Sequence, residues 1–440
     1  MPADPSPPLV LYDVTRLVGR RRARFPTGID RIDLAFAAAT FARFGARCLP
    51  VVAAGGRPLV LARERGIVVA LLASLERAWF GDASPDEAVA RRIDRLGLTG
   101  ALGYGSRRAD AAHALSLLRR AVDRLRRVVR RVRSALRPVD ADLRGAGRVV
   151  HVVVSHEGIA RRPGALDRLA RGRRLDVLAY VHDIMPLEVP QYSRADRIAG
   201  FAAFLDELIR HRAIFAANSR ATAAALARYL ETVAPGVFAP PAVVHPGVDR
   251  VAGAGGVRRA APRRPTFVIL GTIEPRKNHR MLLEIWRELV ADAAGPVPML
   301  HIVGRRGWDI DDVVALLDAA DDLAPYVVEE SDLDDEAVRE RLLGATALLF
   351  PSRAEGFGLP LVEAAALGVP VIASDLPVFH ELVGDAITFL PADDRGAWKA
   401  AIVAAAADPD LPAVPRLAEE LLDWSSQTEL FTDLVEKACR

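Results

Sequence analysis

In the second half of the chain, short apolar runs alternate with longer stretches in which apolar residues recur every third or fourth position. The runs TFVILG (266–271), VPMLHIVG (297–304), YVVEE (326–330), ATALLF (345–350), VPVIAS (369–374) and ITFL (387–390) predict strands. Continuous apolar runs of this kind suit strands covered on both faces. The intervening NHRMLLEIWRELVADA (278–293), DIDDVVALLDAA (309–320), DDEAVRERLLG (334–344) and LPLVEAAAL (359–367) predict helices. Such alternation predicts a doubly wound parallel sheet of about six strands.

The first half carries a second set of strand-like runs: PLVLYDV (8–14), CLPVVAA (48–54), RVVHVVVS (148–155), LDVLAYV (175–181), AIFAAN (213–218) and AVVHP (242–246). Helical segments separate most of them. A run rich in Gly, Ala, Arg and Pro at 249–265 reads as a linker. The expected division is a first α/β domain at 1–250, a linker at 251–265, a second α/β domain at 266–424, and a helix at 425–440 that packs back across the first domain. Two such domains facing each other across a hinge make a cleft. The first is interrupted between about 61 and 143 by sequence that reads as helical. The interruption ends in LLRRAVDRLRRVVRRVRSALRP (117–138), an apolar stripe flanked by arginines. That stripe fits either a surface helix docked on its own domain or an interfacial helix on an anionic membrane.

Composition narrows the class. The chain has 440 residues, 51% hydrophobic and 26% charged, which suits a globular protein of two or more domains. A net charge of +3 gives no case for nucleic acid. Cys48 and Cys439 are the only cysteines, so neither a disulfide framework nor a cysteine-based metal site is expected. No apolar run reaches the roughly 18 residues that span a bilayer. The opening MPADPSPPLVLYDV lacks the pattern of a signal peptide. The expected location is cytoplasmic.

The chemistry concentrates where predicted strands end. In PSRAEGFGLPLVEAAALG, Glu355 falls on a loop after a strand, and Glu363 lies one turn into the next helix. The amides of Gly356, Phe357, Gly358 and Leu359 at that helix start suit an anion, and the flanking carboxylates suit sugar hydroxyls. GTIEPRKNH (271–279) follows another strand. Gly271 allows close approach to its backbone, and Arg276 and Lys277 are fitted to a phosphate. Lysine occurs elsewhere only at Lys399 and Lys437. In the first half, YVHD ends a strand at His182 and Asp183, AANSRA ends another at Asn218 and Ser219, and PTGIDR opens a helix at Gly28. An N-cap role suits either Asn218 or Ser219. WDIDD (308–312) holds an Asp-x-Asp, but its acids open a predicted helix and no metal site is expected.

With these residues in place, the chain resembles glycosyltransferase family 4, the retaining nucleotide-sugar transferases of GT-B fold. The resemblance rests on EGFGLPLVE, with GTIEPRKN, HIVGRRGW, VHDIMPLEVP and AANSRATAAAL in support. It implies two Rossmann-like domains facing a cleft. Glu363 would hold the ribose of the donor, and Glu355 would sit near the transferred sugar. The GFGL amides with Arg276 and Lys277 would hold the pyrophosphate. HIVGRRGW, with Gly304, and YVVEESDL would border the base. By the same resemblance His182, oriented by Asp183, touches the sugar, while Gly28 and Asn218 approach the donor. The implied reaction moves a hexose, mannose from GDP-mannose in the first instance, to a bacterial glycan or polyprenyl-linked acceptor at the anionic inner membrane face, without a cofactor. A GT-B nucleotide-sugar epimerase and a non-catalytic nucleotide-sugar-binding scaffold are the alternatives.

Overall fold

The computed structural model describes residues 7–54, 57–81, 83–96, 143, 145–248, 264–292, 295–318, 321–408 and 423–440. The first sheet contains β1 (Leu9–Asp13), β2 (Cys48–Ala54), β3 (Arg57–Val60), β4 (Arg148–Val153), β5 (Arg174–Val181), β6 (Ile214–Ala217) and β7 (Ala242–Val243), in the order β3-β2-β1-β4-β5-β6-β7. Its pairings are parallel except that of β2 with β3. The second sheet contains β8 (Thr266–Leu270), β9 (Met299–Val303), β10 (Val327–Glu330), β11 (Ala347–Phe350), β12 (Val371–Ser374) and β13 (Thr388–Leu390). It is parallel throughout, in the order β10-β9-β8-β11-β12-β13.

Both sheets are covered on both faces. Along β1 the side chains alternate: Val10 and Tyr12 enter one apolar cluster and Leu11 the other. In β8, Val268 packs on one side, and Phe267 and Ile269 on the other. Strand order reverses between β1 and β4 and again between β8 and β11. In open α/β sheets the crevice outside the carboxyl ends at such a reversal is where ligands bind. The loops after β8 and β11 are those that carry GTIEPRKNH and PSRAEGFG.

The helix Arg65–Trp79, read from sequence as the start of an interruption, belongs to the first domain's core. Val68, Leu71, Leu75 and Trp79 are buried there, and the helix Glu87–Arg95 adds Ile93. The arginine-rich segment 117–138 lies outside the described residues, as does all of the 251–265 linker except Arg264 and Pro265. The terminal helix Trp424–Cys439 packs on the first domain. Its Phe431 stacks on Phe36 with ring centres 4.0 Å apart, and Arg148 donates to the carbonyls of Ala438 and Cys439 at 2.9 Å. Gly247 allows this docking, because a Cβ there would lie 2.4 Å from the Trp424 ring.

The two domains also meet directly. Glu381, on the helix Pro377–Val383, accepts from the amides of Arg220 and Ala221 at 2.8 and 3.1 Å. It therefore supplies acceptors for the first two amides of the helix Arg220–Val233 from across the interface. The same carboxylate holds His245 Nε2 at 2.8 Å. Arg31 reaches Asp335 at 2.6 Å.

One buried acid makes the first domain pH-sensitive. Asp33 is fully buried on the helix Gly28–Phe44 and accepts from Tyr12 Oη at 3.0 Å. Burial, only partly offset by Arg16 and the Tyr12 hydrogen bond, pushes its carboxyl up to about 8. In the unfolded chain this group ionises near 4. Between the two values the folded state binds more protons than the unfolded state, so the Asp33 contribution to stability falls as pH rises from about 4 to 8. Asp33→Asn removes this titration and keeps an acceptor for Tyr12. Melting temperatures at pH 5 and pH 8 should therefore differ less in the variant than in the wild type. Equal differences would refute the assignment.

Candidate active site

The site is built first by glycines. Gly271 follows β8 at φ 133°, and Gly304 follows β9 directly beside it; a Cβ on Gly304 would lie 1.9 Å from the Gly271 carbonyl oxygen. This close pass lets the chain after β8 turn over the sheet edge. It continues into a single 3₁₀ turn, Pro275–Lys277, that ends at Asn278 with φ 61°. Asn278 is anchored there by donating to the Ala392 carbonyl at 2.8 Å. The turn faces the loop after β11, and the amide of Arg353 donates to the Arg276 carbonyl at 2.8 Å.

Between these loops lies a compact charge cluster. Glu355 accepts from Lys277 Nζ at 2.5 Å with one oxygen and pairs with Arg276 Nη1 at 2.8 Å with the other. Ser352 Oγ donates to it at 2.8 Å, and Arg276 Nη2 pairs with Glu274 at 2.6 Å. The side chains of Glu355 and Lys277 are 8% and 7% exposed, so neither is well hydrated. Burial alone would raise the Glu355 carboxyl, but Arg276 and Lys277 outweigh it and bring it down to about 2. Burial lowers Lys277, opposed by Glu355. Arg276 is raised: its burial acts downward, and Glu355, Glu274 and Asp183 more than compensate. The Lys277 ammonium also lies 4.7 Å above the Phe350 ring.

The loop then enters the helix Leu359–Ala366 through Gly358 at φ 107°. Gly358 has no side chain to cap the first amides, and a Cβ there would lie 2.8 Å from the Phe379 ring. Phe357 is buried, and Glu363 sits within this helix, partly exposed. Leu359 meets Gly28 at the start of the first domain's Gly28–Phe44 helix; a Cβ on Gly28 would lie 2.6 Å from Leu359 Cδ1. Gly356 is packed against the first domain just as closely, 2.3 Å from the His182 carbonyl by the same measure. Its own carbonyl accepts from Ser219 Oγ at 2.8 Å and Thr222 Oγ1 at 3.1 Å.

One sequence expectation is corrected on the first-domain side. His182 is oriented by the backbone and not by Asp183: its Nε2 lies 2.7 Å from the Val154 carbonyl, while Asp183 accepts from the Met185 amide at 3.1 Å. A carbonyl only accepts, so Nε2 carries the proton and Nδ1 is left as an acceptor. Burial lowers His182 to about 4, against the raising effect of the Val154 bond, so the ring is neutral near pH 7. Asp183 is raised by burial to about 6, with Arg276 opposing. The N-cap role left open between two neighbours is now assigned. Ser219 is the N-cap of Arg220–Val233, accepting from the Thr222 amide at 3.0 Å, while Asn218 is buried next to Gly356.

His182, Asp183, Glu274 and Arg276 line one cavity of about 210 Å³ between the domains. Sequence reasoning missed much of its wall. Tyr192, Arg197 and Phe201 come from the chain after β5, and Trp308 comes from the loop after β9. HIVGRRGW was expected to border a nucleotide base, but Trp308 lies with His182 and Arg276. The signal available in sequence was an indole beside Gly307 at a strand's carboxyl end. Asp312, next to the Asp-x-Asp of Asp309 and Asp311, pairs with Arg280 at 3.1 Å.

Comparison with known proteins finds similar sequences and a similar fold. Residues 264–408 match the family model for Glycosyl transferases group 1. The serotype-specific mannosyltransferase WbdA of Escherichia coli is 33% identical over 219 residues, covering 46% of this chain and 26% of that protein. The phosphatidyl-myo-inositol mannosyltransferase of Mycolicibacterium smegmatis is 35% identical over 168 residues, covering 36% of this chain and 42% of that protein. The chain thus spans about a quarter of the length of WbdA. The crystal structure of Anabaena Alr3699/HepE in complex with UDP and glucose aligns over 68% of this chain and 79% of that one, with a TM-score of 0.52 at 16% identity. That likeness extends the agreement in fold to both sheets. Residues 264–408 are thus similar in sequence to the group 1 glycosyl transferases, and the two sheets share the GT-B fold.

Proposed function

We propose that the protein is a retaining glycosyltransferase that moves a hexose from a nucleotide-sugar donor, GDP-mannose in the first instance, to a bacterial surface glycan or lipid-linked acceptor. The observation that carries this reading is the Lys277–Glu355–Arg276 cluster at the strand-order reversal of the second sheet, with His182 and Gly28 facing it from the first. The mannosyltransferases among the similar proteins support the sugar. The donor pyrophosphate lies against the helix start at Gly358 and Leu359, within reach of Arg276 and Lys277. Glu363 accepts from the ribose hydroxyls, one helical turn deeper. The neutral His182 ring lines the cavity that receives the transferred sugar.

In the step proposed, the bond from the anomeric carbon to the leaving phosphate breaks as the acceptor oxygen attacks from the same face. The departing phosphate oxygen takes the acceptor's proton, and configuration is kept. Negative charge grows on the phosphate during this step, so the two cations act most strongly in the transition state. They supply that charge compensation without a metal in the scheme. Contact with an anionic inner membrane rests on the sequence of residues 117–138 alone. Among the described residues, no helix is long and apolar enough to cross a membrane.

A screen of nucleotide sugars by thermal shift and nucleotide release tests the reading. GDP-mannose is expected to raise the melting temperature and to release GDP. A panel in which no nucleotide sugar does either would overturn it. Lys277→Ala, compared as folded protein, should lower kcat/KM by about 10²–10³-fold, a loss of roughly 2–4 kcal/mol in the transition state. Wild-type turnover would remove Lys277 from its role. Glu363→Gln should raise the donor KM more than it lowers kcat, because the ribose is remote from the broken bond. A lower kcat at unchanged KM would contradict that placement.

A further inference from the structure

The cavity beside His182 has one wall that the donor reading does not use. Trp308 is partly exposed there, in contrast to Trp286 and Trp398, which are fully buried in the second domain's core. Its position is built in. The Ile273 amide donates to the Arg305 carbonyl, and the Gly307 amide returns to the Ile273 carbonyl, both at 2.9 Å. A Cβ on Gly307 would lie 2.5 Å from that Ile273 oxygen, so only glycine lets the two loops pass so closely. Arg306 is tied to Asp318 and Glu329 at 2.6 and 2.7 Å. The indole is thus carried by a loop fixed on both sides and is held in the cavity with Glu274 and Arg276.

The chemistry of the lining selects a ligand class. The acidic and guanidinium groups in the cavity are two acids, Asp183 and Glu274, and two arginines, Arg197 and Arg276. That balance gives no excess of positive charge for a phosphate or other anion. It does offer acceptors and donors for hydroxyl groups. A pyranose ring presents an apolar C–H face and a rim of hydroxyls, which an aromatic plane beside such polar groups complements. The nucleotide end of the donor is already assigned to the Gly358–Glu363 side.

We propose that Trp308 is the platform of the acceptor subsite, seating the terminal pyranose of a neutral glycan next to His182, and that it sets acceptor specificity. This rests on the glycosyltransferase reading and deepens it. Trp308→Ala and Trp308→Phe test it, with methyl α-D-mannopyranoside as acceptor probe and GDP-mannose as donor. In Trp308→Ala the acceptor KM should rise about ten-fold, while GDP affinity and GDP-mannose hydrolysis in the absence of acceptor stay within about two-fold. Trp308→Phe should recover most of the acceptor affinity. An unchanged acceptor KM in Trp308→Ala, or an equal weakening of GDP, would overturn the proposal; the latter would put Trp308 in the nucleotide pocket. Saturation-transfer NMR on the methyl mannoside reads the subsite without turnover. A signal present in the wild type and lost in Trp308→Ala supports it. A signal absent from the wild type, or retained in Trp308→Ala, overturns it. Absence of both hydrolysis and transfer in the wild type would instead overturn GDP-mannose as the donor, and the NMR result would still decide the subsite.

Discussion

A carboxylate almost removed from water needs its counter-charges supplied by the protein, and Glu355 receives two of them from another loop. Removing any one of the three groups leaves a buried charge without full compensation, which is costly. The second domain is arranged so that this does not happen. β8 and β11 are neighbours in the sheet, so the loops that follow them emerge side by side. Gly271, Gly304 and the left-handed Asn278 bend one loop toward the other. Gly358 turns the second loop into its helix. The cluster, the glycines and the strand order are one construction, and moving any part of it would separate the charges.

The alternation of apolar runs made most of the sheet architecture legible. ALLF and VIAS need no partner information to read as strands, since runs buried on both faces carry the signal in themselves. The four-residue β3 did not carry it: RPLV offers little periodicity and pairs antiparallel at the edge of the sheet. The helix at Arg65–Trp79 was legible as a helix but not as core, because the identity of the surface it covers is a tertiary fact.

At the site, residue types were legible and partners were not. Glu355 and Lys277 stand 78 positions apart, and only the strand order makes them neighbours. The carbonyl of Val154 that orients His182 has no sequence signature, whereas Asp183 is adjacent and acidic, which drew the eye to it. Ser219 and Asn218 are equally good caps by type, and the backbone chose between them. Trp308 was visible as a tryptophan after a glycine, but its membership of the His182 cavity depends on how the domains face each other.

The carbonyl of Gly356 belongs to the loop that carries Glu355, yet it is hydrogen-bonded by Ser219 and Thr222 of the opposite domain. Any hinge motion that parts the domains must first break these bonds, and must strip Glu381 from the two amides it caps. The capped helix would then expose its positive end to the open cleft. Domain opening and the state of the glycine loop are therefore mechanically linked. A ligand seated on that loop would sense closure through the backbone itself, without any side chain having to move.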